Sequence, residues 1–122
     1  ADVPKTMVYR VARWVNETSG RPIIPESTLT KAPSAELRPN QTDQDSLPPY
    51  EILDDILQRH IERHQPADEI VAAGFDRATV ERVLRMVHAA EFKRKQAAPG
   101  LKVTDRAFGT GWRMPIAKRL TR

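Results

Sequence analysis

The stretch DRATVERVLRMVHAAEFKRK, residues 76–95, decides the fold class. Val80, Val83, Leu84 and Val87 recur at the three- and four-residue spacing that places side chains on one face of an α-helix. Asp76 stands where a carboxylate can accept the first free backbone N–H groups, so a helix is predicted from Asp76 to about Phe92–Lys95. Upstream, Ala67 to Ala73 reads as a short helix stopped by Gly74. Before it, Tyr50, Leu53, Ile56, Leu57 and Ile61 form an apolar face. Glu51, Asp54 and Asp55 load its first turns in the sense the helix dipole favours, which predicts a helix over about Pro49–His64. Nearer the start, Met7, Val8, Val11, Ala12 and Val15 share a helical face, with Trp14 beside it. That helix should run from about Pro4 to Thr18 and close at Ser19 and Gly20. No strand is expected beyond a brief edge pairing at Ile23 and Ile24 or Leu101 to Val103. The expected fold is mainly α: about four helices, a long Pro-rich loop and an irregular basic tail.

Composition narrows the functional classes. At 122 residues the chain is the size of one small domain. Only 39% of residues are hydrophobic and 6% aromatic, so a core built here alone is thin and a covering partner surface is expected. Twenty Lys and Arg against sixteen Asp and Glu give a formal charge of +4, which favours polyanions such as phosphates. With no cysteine there are no disulfides, no thiolate metal sites and no thiol nucleophile, as suits the cytoplasm. The apolar runs are too short to span a bilayer, and the N-terminus has no signal-peptide pattern. Asp2, Val3 and Pro4 lead directly into the first helix without an initiator Met, which reads as a cut in a longer protein.

Residues 21–49 hold six of the ten prolines among Ser, Thr, Asn and Gln, and read as one loop, the first place to look for function. Within it, Leu29 to Leu37 offers hydroxyls, an ammonium and backbone N–H groups suited to a phosphate. Lys93, Arg94 and Lys95 put three cations at a helix end, where they also complement the negative pole of its dipole. His60 and His64 lie four apart, a spacing that can hold zinc, but the residues between them are not those of a zincin and no third ligand is evident. They read as two solvent-facing histidines. A rival reading is a helix-turn-helix-like nucleic-acid binder, with Ala67 to Gly74 as first helix and Asp76 to Lys95 as recognition helix. Against it, Glu81, His88 and Glu91 interrupt the cationic face. A third is a structural helical module for oligomerisation.

Several less common strings occur in a fixed order: Asp-Val-Pro-Lys-Thr-Met-Val-Tyr at 2–9, Pro-Ile-Ile-Pro-Glu-Ser at 22–27, Pro-Ser-Ala-Glu-Leu-Arg-Pro-Asn-Gln-Thr-Asp at 33–43, Ser-Leu-Pro-Pro-Tyr at 46–50 and Phe-Lys-Arg-Lys-Gln-Ala-Ala-Pro-Gly at 92–100. In these the chain resembles the C-terminal end of glutamine-dependent NAD synthetases. The resemblance implies a ligase that adenylates deamido-NAD with ATP, assisted by Mg2+, and then displaces AMP with ammonia released from glutamine in a separate domain. It implies the helical end of a Rossmann-like α/β synthetase domain over residues 1–122, with 21–49 as a mobile active-site loop and 96–122 as a basic tail. The family's ATP-gripping Ser-Gly-Gly-x-Asp-Ser loop and its Glu-Lys-Cys amidase triad are absent from these residues, so the chain alone is expected to be inactive. Ser34 matches the loop hydroxyl that reaches ATP, and Lys93 a lysine that contacts deamido-NAD. Thr30, Lys31, Glu36 and Asp43 are secondary candidates in the same loop, and Arg113 is a candidate for contact between domains or subunits. The implied partners are an upstream synthetase core, a glutaminase domain and further copies of the enzyme. No catalytic or metal-binding residue is assigned within the chain.

Overall fold

The computed structural model describes residues 2–97, 100–105 and 114–115. Six α-helices follow one another: α1 (Lys5–Thr18), α2 (Glu26–Thr30), α3 (Tyr50–Leu57), α4 (Ala67–Ala72), α5 (Arg77–Ala89) and α6 (Glu91–Gln96). A 3-10 turn (Asp43–Asp45) precedes α3 and a π-helical turn (Gln58–Glu62) continues it. No strand occurs among the described residues, so the mainly helical expectation holds. The chain divides into two compact units, Val3–Asp54 and Asp55–Arg122 with the first two residues, and the junction falls within α3.

In the larger unit the core is aliphatic. Ile56, Ile70, Val80 and Val83 are at most 1% exposed, and Ile61 is buried beside them, while α4 packs on α5. The single helix expected over Pro49–His64 instead changes to π geometry at Gln58. Ile56 and Ile61 are five residues apart and would diverge on an α-helix; the wider i to i+5 turn brings both to the core side. That turn also removes His60 from solvent: it is half-buried, with Nδ1 3.2 Å from the Gln65 carbonyl and its ring edge-on to His88 at 6.2 Å. His64 follows the π turn in the left-handed conformation, at φ 56°. The pair of solvent-facing histidines expected from their spacing is therefore half wrong.

Gly74 takes φ 103° directly after α4, the conformation expected of a helix stop. Asp76 caps α5 as predicted, accepting from the Thr79 N–H and hydroxyl, both at 2.8 Å. These donors, the backbone N–H first, hold its carboxyl below the ordinary range. The helix expected to run to Lys95 stops at Ala89 and restarts as α6 at Glu91.

Two buried carboxylates hold the C-terminal segment by its main chain. Asp2, 9% exposed, accepts from the backbone N–H groups of Val103 at 2.7 Å and Thr104 at 2.8 Å, and from the Thr104 hydroxyl at 2.8 Å. Glu91, equally buried, accepts from the Met114 N–H at 3.3 Å. Buried carboxylates are tolerated when donors surround them, and at Asp2 the backbone donors are supplemented by the Thr104 hydroxyl. Asp2→Ala is accordingly expected to speed hydrogen exchange at the Val103 and Thr104 amides by at least about tenfold while α5 keeps its protection. Unchanged exchange at those two amides, read by fragment-resolved mass spectrometry, would contradict this.

In the smaller unit, α1 has Pro4 at its N-cap and no acid in its first turn. The missing acceptor comes from α3: the Thr6 N–H donates to Asp54 Oδ2 at 2.8 Å. Gly20, at φ 63°, turns the chain back, and Asn16 then clasps Ile24, donating to its carbonyl at 2.9 Å and accepting its N–H at 2.8 Å. Residues 21–49 are not one loop, as their prolines implied. Pro25 opens α2, whose Leu29 is buried, and Thr42 and Asp45 form a reciprocal capping box around the 3-10 turn. Proline fixes φ at a value the first turn of a helix accepts, so a proline-rich segment can still start helices.

Candidate functional site

The unit of Val3–Asp54 contains a cleft of about 450 Å3, a size usual for small-molecule sites. Helix α1 lines it with Lys5, Val8, Tyr9 and Ala12. Ile24, Thr28 and Leu29 continue the apolar wall, and the segment after α2 supplies Lys31, Ala32, Pro33, Ser34 and Glu36, with Asp43 at its end.

The segment after α2 has no regular structure, yet it is tied at each step. The Asp43 N–H donates to the Pro33 carbonyl at 2.8 Å, spanning ten positions. Beyond Pro33, the Glu36 N–H donates to Ser34 Oγ at 2.9 Å and the Leu37 N–H to Gln41 Oε1 at 3.1 Å. Glu36 and Asn40 stand in the left-handed region, at φ 53° and 56°, a conformation that asparagine takes readily and glutamate takes at a cost of about 1–3 kcal/mol. Lys31 Nζ donates to Glu36 Oε1 at 2.6 Å. That hydrogen bond, more than the attraction of the charges, raises the Lys31 pKa and lowers that of Glu36. Both side chains are largely exposed, so the pair organises the loop more than it stabilises the fold.

At the other wall, Lys5 Nζ lies 5.3 Å from the centroid of the Tyr9 ring and 6.0 Å from that of Tyr50, so two aromatic faces receive one ammonium. The Tyr50 hydroxyl donates to the Asp43 carboxylate. Burial first, and this carboxylate second, push the Tyr50 pKa up to about 12, so the phenol remains a donor across the physiological range.

The structure brings Lys31, Ser34, Glu36 and Asp43 to one cleft. Thr30 does not join them; its hydroxyl donates to the Glu26 carbonyl at 3.0 Å. Lys93 is exposed on α6 and belongs to the other unit. Arg113 lies outside the described residues. Three lining or supporting residues were not singled out in the sequence: Lys5, Tyr9 and Tyr50. Lys5 and Tyr9 had a legible signal, a cation and an aromatic ring one helical turn apart, whereas the approach of Tyr50 depends on the path of the loop.

Apolar walls with two ammonium groups and the hydroxyls of Tyr9, Thr28 and Ser34 suit a ligand that joins an organic body to phosphate. The lining has no histidine or cysteine. A family model for NAD synthase matches residues 1–97. The chain belongs to the NAD synthase family. Within it, the chain is 61% identical over 118 residues to the glutamine-dependent NAD(+) synthetase of Synechocystis sp., covering 97% of this chain and 21% of that protein. The enzyme of the same name from Thermotoga maritima is 56% identical over 118 residues, with 97% and 20% covered. A solved structure of glutamine-dependent NAD+ synthetase from Acinetobacter baumannii, in complex with adenosine diphosphate, superposes with a TM-score of 0.56 at 40% identity, over 94% of this chain and 19% of that one.

The chain thus spans about a fifth of the length of the NAD synthetases it matches. The resemblance drawn from the sequence strings is borne out. The helix-turn-helix alternative finds no support: the matches are NAD synthetases, and Glu81 on α5 lies 3.7 Å from both Arg77 and Arg85, offsetting the cations a recognition helix would offer.

Proposed function

We propose that this chain is the C-terminal portion of the ammonia-ligase domain of a glutamine-dependent NAD(+) synthetase, with residues 21–49, which include α2 and the 3-10 turn, as an active-site segment and 96–122 as a basic tail. The observation that carries the proposal is the high identity to synthetases over 97% of the chain, which includes a cleft lined by Lys5, Lys31 and Ser34. The Acinetobacter relative, solved with adenosine diphosphate, supports a nucleotide as the ligand.

In the complete enzyme, a carboxylate oxygen of deamido-NAD attacks the α-phosphorus of ATP and pyrophosphate leaves. Ammonia then attacks the acyl carbon of the adenylate, AMP departs with the bonding electrons, and loss of a proton leaves the amide of NAD. Neither step needs a nucleophile from these residues. They need charge and donors around phosphate, which Ser34 supplies to ATP and Lys93 to deamido-NAD. Lys31, Glu36 and Asp43 shape the loop, and Thr30 supports α2 behind it.

Mg2+ does not fit here. No three candidate ligands gather among the described residues, and Glu36 and Asp43 are engaged by Lys31 and Tyr50. The ion and the adenylation residues then belong to the rest of a Rossmann-like synthetase core, with ammonia coming from a glutaminase domain. That core also accounts for α1, a 14-residue helix that fully buries nothing and leaves Met7, Val8, Val11 and Trp14 between 38% and 60% exposed. No helix among the described residues is long and apolar enough to cross a membrane; the complete enzyme is proposed to be a cytoplasmic oligomer.

The test is turnover. The complete enzyme is expected to form NAD from deamido-NAD, ATP and either glutamine or ammonia, and the 122-residue chain alone to form none. A complete enzyme that makes no NAD from either nitrogen source would overturn the assignment, and NAD made by the isolated chain would overturn its status as a part.

A further inference from the structure

We infer, building on the proposed function, that Tyr50 is a positioning residue for ATP: its hydroxyl fixes Asp43, Asp43 fixes Pro33, and Ser34 is thereby held on the cleft. The contacts form a series within one unit. The Tyr50 hydroxyl donates to the Asp43 carboxylate, and the Asp43 N–H donates to the Pro33 carbonyl at 2.8 Å. The next residue is Ser34. The pyrrolidine ring fixes φ at Pro33, so anchoring its carbonyl restricts the direction in which the chain enters Ser34.

Asp43 is a junction in its own right. Its carbonyl accepts from the N–H groups of Ser46 at 3.1 Å and Leu47 at 2.9 Å, which ties the loop to the approach of α3. Tyr50 opens α3 directly after Pro48 and Pro49, where the chain has little freedom, and its half-buried ring also faces Lys5. One phenol therefore joins the fixed wall of the cleft to its irregular wall. Glu36, a residue that seldom takes the left-handed conformation, carries a local cost that contacts such as the Asp43 anchor offset. The raised pKa of the phenol is consistent with a permanent donor.

Tyr50→Phe in the full-length enzyme removes the hydroxyl and keeps the ring beneath Lys5. The KM for ATP is expected to rise about five- to tenfold, the equivalent of one net hydrogen bond, while the KM for deamido-NAD stays within about twofold. Asp43→Ala should reproduce the effect, and combining the two should add little, since both break the same connection. Asp43→Asn, which keeps an acceptor oxygen, should fall between wild type and Asp43→Ala. Proteolytic cleavage between residues 34 and 43 should quicken in Tyr50→Phe. An active wild type whose ATP KM is unmoved by Tyr50→Phe overturns the inference, as does an equal rise in both KM values with a lowered Tm. If the wild-type enzyme makes no NAD, the proposed function falls and the connection is judged by loop cleavage: faster cleavage in Tyr50→Phe upholds it, and equal cleavage overturns it.

Discussion

Ile70→Ala is expected to cost about 2–5 kcal/mol of stability, a large part of the roughly 5–15 kcal/mol that holds an ordinary domain together. Ile70 is fully buried on α4, which packs on α5, among Ile56, Ile61, Val80 and Val83. Its removal forfeits the transfer free energy of the lost methyl and methylene groups. It also leaves a cavity that neighbours on three helical segments cannot easily collapse into. This core has few members, so each carries a large share. Urea unfolding followed by circular dichroism should show a lower midpoint with an unchanged slope. A loss below about 1 kcal/mol would mean that α4 contributes little to the unit and that its packing on α5 is incidental.

Lys93→Ala in the complete enzyme is expected to weaken deamido-NAD by about 1.5–3 kcal/mol, roughly 10- to 150-fold in affinity, with ATP affected far less. Lys93 lies exposed on α6, three residues past the break at Ala90, whose carbonyl accepts the Lys93 N–H at 2.9 Å. An exposed ammonium contributes little to the fold, so the effect reports on ligand and not on folding. Lys93→Arg keeps the charge and should retain more affinity than alanine, with the fork geometry of guanidinium limiting recovery. Equal deamido-NAD affinity in wild type and Lys93→Ala, by titration or by KM, would remove Lys93 from the site while leaving the family unchanged.

The legible parts of this protein are those whose signals are local. Asp76 before an apolar period, Gly74 after one, and Gly20 after α1 mark helix ends through groups within a few residues, and each behaves as read. The proline-rich stretch was misread as uniform loop because proline is a breaker only inside a helix; at Pro25 it starts one. The turn to π geometry at Gln58 was not visible either. It follows from burying Ile56 and Ile61 together, a demand that comes from α4 and α5 and not from the local period.

For the site, residue chemistry singled out the segment from Leu29 to Leu37, and the resemblance to NAD synthetases singled out Ser34 within it and Asp43 beyond it. What it could not supply was the opposite wall: Lys5 and Tyr9 come from the first helix and Tyr50 from the third, and the ring of Tyr50 reaches Lys5 across 45 positions of sequence.

By itself, then, the sequence determined the helical class, several helix ends and the family. These depend on side-chain spacing and on short strings of residues that no distant contact can alter. Tertiary structure alone decided where helices break, which side of His60 meets protein, and how Tyr50 and Asp43 hold the loop beside Lys5. Those outcomes depend on contacts between residues far apart in the chain, whose free energy exceeds the local preferences they override.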